Sequence, residues 1–376
     1  ILAQAIDARA NSLFCSICPR RPQTLKFVHA KARMEAPKTM KAWRLASYGE
    51  PQAAIDSLRL DENVAVPTVQ PGQVLIKVAY ASLNPIDWKL FTGAMRGGFP
   101  IEMPYTPGFD ASGVVVAANQ CKRLEVGAEV CVYTGLVESC RAGATFGPAG
   151  AFAEYCVAPE EIVAPCGQVP LDIAAALPLA GVTAFQALFT GGQRGRALGN
   201  IGQGSKVLVL GGATAVGAHA IQLAAASGAQ VFTTASANPM PDGTSKVDFC
   251  AKLGATVFNY KETDWSKELE GQDLELIFDC SGDNNDWQKS PAVLRKDGRF
   301  LTVANLGAVP RVLDGRECEA FVVHAALEDL KTLLGHVEDG RHQVPIDSVA
   351  KFSELQDMLT KSVKGTASGK LLVKVV

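Results

Sequence analysis

The chain has 376 residues, 48% of them hydrophobic and 20% charged, which predicts a folded globular protein of two domains and excludes a disordered or fibrous one. The formal net charge is −2, too small a field to attract nucleic acid, and the basic residues form no nucleic-acid-binding motif. The 10 cysteines are scattered, and only Cys15 and Cys18 form a Cys-x-x-Cys pair, which favours reduced core thiols in a reducing compartment over a zinc site.

Residues 1–39 form a basic leader that differs from the rest of the chain. Lysine and arginine recur there, whereas Asp7 and Glu35 are its acidic residues, and alanine and serine fill the spaces between. An Arg-rich, acid-poor leader of this kind is typical of an organelle transit peptide. Two other interpretations remain open, namely a disordered basic extension and an arm that docks on a partner protein.

Short strands dominate the sequence from residue 40 to residue 165. Alternation in VLIKVAYAS (residues 74–82) predicts a strand with one face in solvent. Further strands are predicted at GVVVAA (113–118), GAEVCVY (127–133) and FAEYCVAP (152–159), with glycine and proline between them. The pattern predicts a β-rich, barrel-like domain.

Strands alternate with helices in residues 166–344. The segment LDIAAALPLAGVTAFQALF (171–189) reads as helical with a kink at Pro178. The elements that follow are strands at KVLVL (206–210), QVFTT (230–234), ATVFNY (255–260), LELIFDCSG (274–282) and GRFLTVANLG (298–307), and helices in an Ala-rich stretch, at KVDFCAKLG (246–254) and at VVHAALEDLKTLLGHVEDG (322–340). This alternation predicts a parallel sheet with helices on both faces. The tail, residues 345–376, ends in a strand that we expect to return to the first domain.

A run without Lys, Arg, Asp or Glu lies between Lys206 and Asp242. It contains several glycines together with His219, Gln222 and Pro239, a combination that a lipid-facing helix of about 20 residues would not carry. The run therefore indicates buried strands and a buried helix, and the protein is expected to be soluble or peripheral to a membrane.

The segment VLVLGGATAVGAHAIQLA (207–224) passes from a strand through glycines into a helix. Gly211 allows a sharp turn at the carboxyl edge of the predicted sheet, where open α/β folds bind ligands. A helix opening at Thr214, Ala215 and Val216 would direct its first N–H groups at a pyrophosphate. Thr214 stands where a dinucleotide fingerprint usually has glycine, although its hydroxyl suits a helix N-cap and can donate to a phosphate oxygen.

The end of the next predicted strand indicates which dinucleotide is bound. An NAD site places Asp or Glu there for the ribose 2′-hydroxyl, but the strand ends TTASANP, and the first acid after it is Asp242. Ser236, Lys246 and Tyr260 are instead available to meet a 2′-phosphate. These residues predict NADPH as the cofactor.

Six segments in this order resemble the medium-chain dehydrogenase/reductase superfamily. They are NPIDWK (84–89), PYTPGFDASGVV (104–115), LPLAGVTAFQAL (177–188), the glycine turn, NYKE (259–262) and GTASGK (365–370). Within the superfamily they resemble the zinc-free quinone oxidoreductases, and above all the chloroplast-envelope and mitochondrial members. The resemblance implies a GroES-like β-rich catalytic domain from both chain ends (40–165 and 345–376) plus a Rossmann domain (166–344) with a doubly wound parallel sheet, so that the fold class is α/β. It also implies a cofactor in the cleft and a homodimer.

The resemblance also implies a site without zinc. Alcohol dehydrogenases of the superfamily have a cysteine, a His-Glu pair and a four-cysteine lobe where this chain has Asn84, Phe109 with Asp110, and no clustered cysteines. Without such ligands no Lewis acid is available to ionise an alcohol. Metal-free reduction of a conjugated acceptor is the chemistry that this leaves.

The resemblance places individual residues beside the cofactor. By similarity Asn84 lies beside the nicotinamide and the acceptor, and Thr183 contacts the cofactor. Cys280 and Asn305 each lie at the carboxyl end of a predicted strand and are expected to line the cleft. Asp87 and Lys89 are polar groups near the same cleft, or a structural ion pair. A tyrosine proton donor of some relatives has no match here, so Tyr133 or Tyr105, or solvent, is expected to protonate the product.

These features predict an organellar NADPH-dependent oxidoreductase that transfers hydride to a small quinone or α,β-unsaturated carbonyl without a metal. Two alternatives stay open. One is an enoyl-thioester reductase of fatty-acid synthesis, and the other is a catalytically weakened relative that serves as a subunit of a larger organellar or membrane-associated complex. Thr214, the missing tyrosine and the basic leader motivate the last of these.

Overall fold

The computed structural model describes residues 36–97, 99–134, 150–191, 199–305 and 312–376. Most of the predicted leader, residues 1–35, lies outside the described residues, so its interpretation stays a prediction. By their contacts, the described residues form one compact unit.

The elements of the first part of the chain are mainly strands. They are β1 (Thr39–Arg44), α1 (Pro51–Ser57), β2 (Arg59–Ala65), β3 (Gln73–Leu83), α2 (Pro85–Phe91), β4 (Asp110–Asn119), β5 (Glu129–Tyr133), β6 (Tyr155–Pro159), β7 (Val163–Pro165), α3 (Leu171–Ala176) and α4 (Pro178–Phe185). A π-helical turn, Gln186–Thr190, extends α4.

Strands and helices alternate in the second part. The elements are β8 (Lys206–Leu210), α5 (Ala215–Ala226), β9 (Gln230–Ala235), α6 (Lys246–Lys252), β10 (Ala255–Asn259), α7 (Trp265–Glu268), β11 (Leu274–Asp279), α8 (Asn284–Lys289), β12 (Leu294–Thr302), β13 (Val312–Leu313), β14 (Arg316–Ala320), α9 (Leu327–Glu338), β15 (Ile346–Lys351), α10 (Leu355–Val363) and β16 (Lys370–Lys374).

The first large sheet combines both ends of the described chain. Its order is β15-β16-β3-β4-β5-β7, with β6 also paired to β3, and β1 with β2 forms a separate two-stranded sheet. The last strand, β16, runs antiparallel to β3 with Leu371 opposite Leu83. This register carries Lys370 to the point where β3 leads into α2.

The second large sheet has the order β10-β9-β8-β11-β12-β14-β13. Its neighbouring strands are parallel from β10 through to β14, and the short β13 pairs with β14 in the antiparallel sense. Residues Val207 to Leu210 of β8 are all 0% exposed, because helices cover both faces of this sheet. Burial of each such aliphatic side chain stabilises the fold by about 1.5–3 kcal/mol. The two sheets confirm the predicted combination of a β-rich domain with a Rossmann-type domain.

Proline 178 separates two helices rather than bending one. Helix α3 ends at Ala176, and Pro178 is the first residue of α4. Because proline has no N–H to donate, it fits the first position of a helix, where that group would lack a partner, better than the interior. The predicted kink at Pro178 is therefore wrong in its form, although the residue does interrupt the helix.

Candidate functional site

A cavity of about 1270 Å³ lies between the two large sheets. It exceeds the roughly 300–1,000 Å³ of a common small-molecule pocket, so it can hold a dinucleotide together with a second ligand. The carboxyl ends of the parallel strands form one wall, and β3, α2, β5, α4, α10 and β16 contribute the other. All twelve predicted site residues line it: Asn84, Tyr133, Thr183, Gly211, Thr214, Ala215, Val216, Ser236, Lys246, Tyr260, Cys280 and Asn305.

The glycine turn after β8 has the geometry that its sequence predicts. Gly211 has φ of +80°, a conformation that favours glycine, and its N–H donates to Thr234 Oγ1 at 3.0 Å. Thr214 is the N-cap of α5, and its Oγ1 accepts a hydrogen bond from Gly217 N at 3.0 Å. The Thr214 hydroxyl oxygen thus caps the helix, while its proton stays available to donate to a ligand oxygen.

Gly217 allows α5 to lie close against this turn. A Cβ atom at position 217 would stand 2.3 Å from the carbonyl oxygen of Gly211 and 3.0 Å from Gly212 Cα. Both atoms belong to the backbone, so no side-chain movement can relieve the overlap. The N–H groups of Ala215 and Val216 begin α5, so they have no carbonyl acceptor one turn earlier in the helix. Both residues line the cavity.

Three polar residues lie at one end of the cavity. Ser236 directly follows β9 and is buried, Lys246 is the first residue of α6, and Tyr260 directly follows β10 with 56% of its surface exposed. Asp242, the first acid after β9, is exposed and lies outside the cavity wall. This end of the cavity therefore offers a cation and two hydroxyls, with the carboxylate of Glu262 on the wall beside Tyr260.

The loop after β11 is held by the carboxylate of Asp279, which is buried. Its Oδ1 accepts hydrogen bonds from the N–H groups of Ser281 and Gly282, each at 2.9 Å, and its Oδ2 accepts one from Thr302 Oγ1 at 2.7 Å. Cys280 lies within this loop, and burial raises the pKa of its thiol well above the usual value. The thiol is therefore neutral, and Cys280 contributes a small apolar surface to the cavity.

Asn84, the residue before α2, is buried at the other end of the cavity. Its backbone N–H donates to Asp87 Oδ2 at 2.7 Å, and its side-chain Nδ2 donates to Asp110 Oδ2 at 2.9 Å. Burial raises the pKa of Asp87 to about 8, so that this carboxyl is largely protonated at neutral pH. Asn84 is thus fixed through both its backbone and its side chain.

The remaining predicted residues at this end are Thr183 and Tyr133. Thr183 Oγ1 donates to Leu179 O at 2.7 Å, which leaves the hydroxyl oxygen able to accept from a ligand. The Tyr133 ring is tilted against Phe109, with 6.2 Å between ring centroids, and both residues line the cavity. Tyr105, the other tyrosine considered as a proton donor, is buried outside the cavity wall.

Lys89 does not pair with Asp87. Its Nζ donates to the carbonyl oxygen of Ala304 at 3.0 Å, so that it joins α2 to the loop after β12 across the cavity. Burial lowers the pKa of Lys89. This contact brings the two walls together and leaves two further N–H groups on the ammonium.

Sequence reasoning missed two charged residues beside Asn84. Lys370 and Asp110 are 1% and 0% exposed and form an ion pair of 3.1 Å between Nζ and Oδ2. Lys370 lines the cavity. The available signal was a lysine directly before the apolar run LLV in the last strand, where a charged side chain can be buried only if it has a partner.

A further group of charged residues lies at the cavity rim. Trp265 Nε1 donates to Asp286 Oδ1 at 3.2 Å, and Lys289 forms an ion pair with Asp264 at 3.2 Å. Burial, ahead of the neighbouring acids Asp283 and Asp279, raises the pKa of Asp286 to about 6. The rim therefore carries both signs of charge.

Within the described ranges, no group of three His, Cys, Asp or Glu side chains is placed to hold a metal ion. The helices of the same ranges include none long and apolar enough to cross a membrane.

A cavity large enough for a dinucleotide, at the carboxyl edge of a parallel sheet and beside a second β-rich sheet, is the arrangement expected of a nicotinamide-dependent oxidoreductase. Two family profiles match the chain, "Alcohol dehydrogenase GroES-like domain" over residues 70–169 and "Zinc-binding dehydrogenase" over residues 215–338. The chain belongs to the medium-chain dehydrogenase/reductase superfamily, in its quinone-oxidoreductase-like branch, as the sequence motifs predict.

Individual relatives cover almost the whole chain. A "2-methylene-furan-3-one reductase" of Solanum lycopersicum is 33% identical over 99% of this chain and 88% of its own length. An "NADPH-dependent alkenal/one oxidoreductase, chloroplastic" of Arabidopsis thaliana is 31% identical over 92% of this chain and 82% of its own length. Among solved structures, the quinone oxidoreductase from Coxiella burnetii superposes with a TM-score of 0.73 at 27% identity, covering 90% of this chain and 99% of its own.

Proposed function

We propose that the protein transfers a hydride from NADPH to a quinone or an α,β-unsaturated carbonyl compound, without a metal ion. The observation that carries the proposal is that the glycine turn, the polar end and Asn84 all line one cavity. The names of the tomato and Arabidopsis relatives support it, because both describe the reduction of carbonyl compounds conjugated to an alkene.

The glycine turn fits the pyrophosphate of a dinucleotide. Gly211 and Gly217 keep side-chain atoms away from the turn, and the first N–H groups of α5 and the hydroxyl of Thr214 supply donors. The positive end of the helix dipole adds to the attraction for an anion. Thr214 at the usual glycine position is thus compatible with nucleotide binding, since its side chain turns back to cap the helix.

The polar end of the cavity favours NADPH over NADH. The ammonium of Lys246, together with the hydroxyls of Ser236 and Tyr260, would hold a 2′-phosphate. An NAD site instead holds the ribose 2′-hydroxyl with an acid at the end of the second strand, and Asp242, the first acid after β9, lies outside the cavity wall.

The opposite end supports hydride transfer to a planar acceptor. The bound cofactor supplies the hydride, and Thr183 is placed to accept a hydrogen bond from it. Apolar side chains line this end and exclude water, among them Trp88, Met95, Phe99, Phe109 and Val323. Polar donors are Asn84, Tyr133 as the proposed proton donor, and Lys89, whose positive charge favours the negative charge that develops on the acceptor oxygen.

The same residues support chemistry without a metal. Both carboxylate oxygens of Asp110 already accept hydrogen bonds from protein donors, namely Ser82, Asn84 and Lys370 at Oδ2 and Leu179 N at Oδ1. Asp110 is therefore committed to the protein rather than available as a ligand. Reduction of a conjugated acceptor needs no Lewis acid.

An organelle is the proposed location, since the Arabidopsis relative is named as chloroplastic and the basic leader is typical of a transit peptide. Four points stay predictions. They are the choice of plastid or mitochondrion, the homodimer, the association with a complex and the domain boundaries.

The test is the rate at which the purified protein oxidises NADPH or NADH in the presence of a simple quinone and a simple enone. We expect turnover with NADPH and a kcat/KM for NADPH at least tenfold above that for NADH, which corresponds to about 1.4 kcal/mol. The variant Lys246→Ala should lose this preference by raising the KM for NADPH alone.

Lys252→Ala is the matched control, because Lys252 is an exposed lysine at the end of the same helix, outside the cavity wall. It should leave kcat/KM for NADPH and kcat/KM for NADH unchanged. Failure of the protein to oxidise either nucleotide with either acceptor would refute the proposed function, and equal constants for the two nucleotides would refute the role of Lys246.

A further inference from the structure

The ammonium of Lys370 has no hydrogen bond left for a ligand, although the residue lines the cavity. Its Nζ donates to Asn84 Oδ1 at 2.7 Å, to Leu83 O at 3.1 Å and to Asp110 Oδ2 at 3.1 Å. An ammonium has three N–H donors and no acceptor, so these contacts use all of them. Lys370 therefore acts on the cavity through its neighbours.

The ion pair determines the orientation of the Asn84 amide. Lys370 can only donate, so the amide oxygen of Asn84 must face it. The carboxylate of Asp110 can only accept, so the amide nitrogen must face it, and the distance from Nδ2 to Oδ2 is 2.9 Å. A rotation of the amide by 180° would set two donors together and two acceptors together. Asn84 thus has one orientation.

This orientation decides what Asn84 offers to a ligand. The amide oxygen accepts a hydrogen bond from Lys370, and one N–H of the amide donates to Asp110. Asn84 lines the cavity, so the second N–H is the polar group that its side chain can present to a ligand there. The ammonium at the amide oxygen also polarises the amide, which strengthens its N–H as a donor. Asn84 therefore favours an acceptor oxygen, and disfavours a hydroxyl or amine that must donate.

We propose that Lys370 and Asp110 are positioning residues that fix the Asn84 amide as a hydrogen-bond donor to the carbonyl oxygen of the electron acceptor. This inference rests on the proposed function, because the oxygen in question is the one that gains negative charge during hydride transfer. It specifies the substrate class further: the acceptor must carry an oxygen conjugated to the carbon that receives the hydride. A donor fixed in advance at this oxygen stabilises the transition state more than the ground state.

The test is a double-mutant cycle on kcat, measured with NADPH and an enone. The change Asp110→Asn with Lys370→Met removes both charges together, which avoids leaving one charge buried alone. It should lower kcat by about 100-fold, as Asn84→Ala should, since loss of one positioned donor has effects of that size. In a protein that already carries Asn84→Ala, adding Asp110→Asn and Lys370→Met should lower kcat by less than about threefold, because no amide remains to be oriented.

Lys374→Met is the matched control, since it makes the same substitution at an exposed position of the same strand and should leave kcat unchanged. NADPH affinity, measured by fluorescence titration, should change little in every variant and reports that the nucleotide site is folded. If the loss of kcat in the triple variant equals the product of the two separate losses, the inference is overturned and the proposed function stays in place. Absence of turnover in the unaltered protein would overturn both.

Discussion

A buried histidine pair should make the protein sensitive to acid. His219 on α5 and His342 after α9 lie with Nδ1 and Nε2 2.6 Å apart and with ring planes 7° apart. One ring must donate and the other accept, so the pair tolerates only one proton between these nitrogens. Burial lowers the pKa of His219 well below 6.5, with further contributions from His342 and Lys370. Burial, followed by the charge of His336, lowers the pKa of His342 to about 4.

The direction of the effect follows from these pKa values. Above pH 6.5 both histidines are neutral in the folded and unfolded chains, and the pair adds no pH dependence. Below pH 6.5 the unfolded chain takes up protons that the folded chain does not, so the free energy of unfolding falls. One pKa unit corresponds to about 1.4 kcal/mol, so His342 alone lowers the free energy of unfolding by about 2 kcal/mol at pH 5 and about 3 kcal/mol at pH 4.

The assay is urea unfolding followed by far-UV circular dichroism at pH 7.5 and pH 5. Carboxylates also contribute to acid unfolding, so the informative quantity is the difference between variants. In His342→Gln the loss between the two pH values should be smaller than in the unaltered protein by about 2 kcal/mol, because glutamine keeps a donor and an acceptor but does not titrate.

His324→Gln serves as the control, because it makes the same substitution at a histidine outside the pair. It should keep the full loss of stability at pH 5. An identical loss in His342→Gln and in the unaltered protein would show that the histidine pair does not govern the acid response.

Three other substitutions have defined outcomes. Gly217→Ala places Cβ 2.3 Å from Gly211 O and should weaken NADPH binding at least tenfold in a fluorescence titration. Gly335→Ala, in α9, meets no atom of the described residues within 4 Å and should raise the free energy of unfolding by about 0.5–1 kcal/mol, which urea titration measures. Asp87 takes up a proton on folding, since its pKa rises from 3.8 to about 8, so stability falls as pH rises through this range. Asp87→Asn should therefore raise the free energy of unfolding at pH 8 by about 2 kcal/mol or more, and no gain at that pH would contradict the buried, protonated state.

The meeting of the glycine turn with Ser236 and Tyr260 at one cavity could be predicted because its signals are local. Gly211, Thr214 and Gly217 lie within one strand-turn-helix, and Ser236 and Tyr260 lie at or just beyond the carboxyl ends of predicted strands. Since the carboxyl ends of parallel strands meet at one edge of a sheet, assigning the strands is enough to bring these residues together.

Other features depend on contacts that a sequence does not display. Lys370 and Asp110 are 260 positions apart, and their contact depends on the register of β16 against β3. Strand β14, with the charged sequence RECEA, shows no apolar alternation. It joins the sheet with Glu317 and Glu319 paired to Arg299 of β12, at 3.2 and 3.0 Å, so that ion pairs replace part of the usual apolar contact.

Strand β16 comes after every other described strand in chain order, so the ribosome synthesises it after them. Translation proceeds from the N-terminus, so Asp110 and Asn84 emerge long before Lys370, the cation that neutralises this carboxylate. Until β16 arrives, Asp110 must stay hydrated, because an unpaired buried charge is too costly. Strands β8 to β14, by contrast, are all synthesised earlier. The residues of the parallel sheet are therefore complete in the nascent chain before β16 is made, and the ion pair that orients Asn84 can form only once this strand has been synthesised.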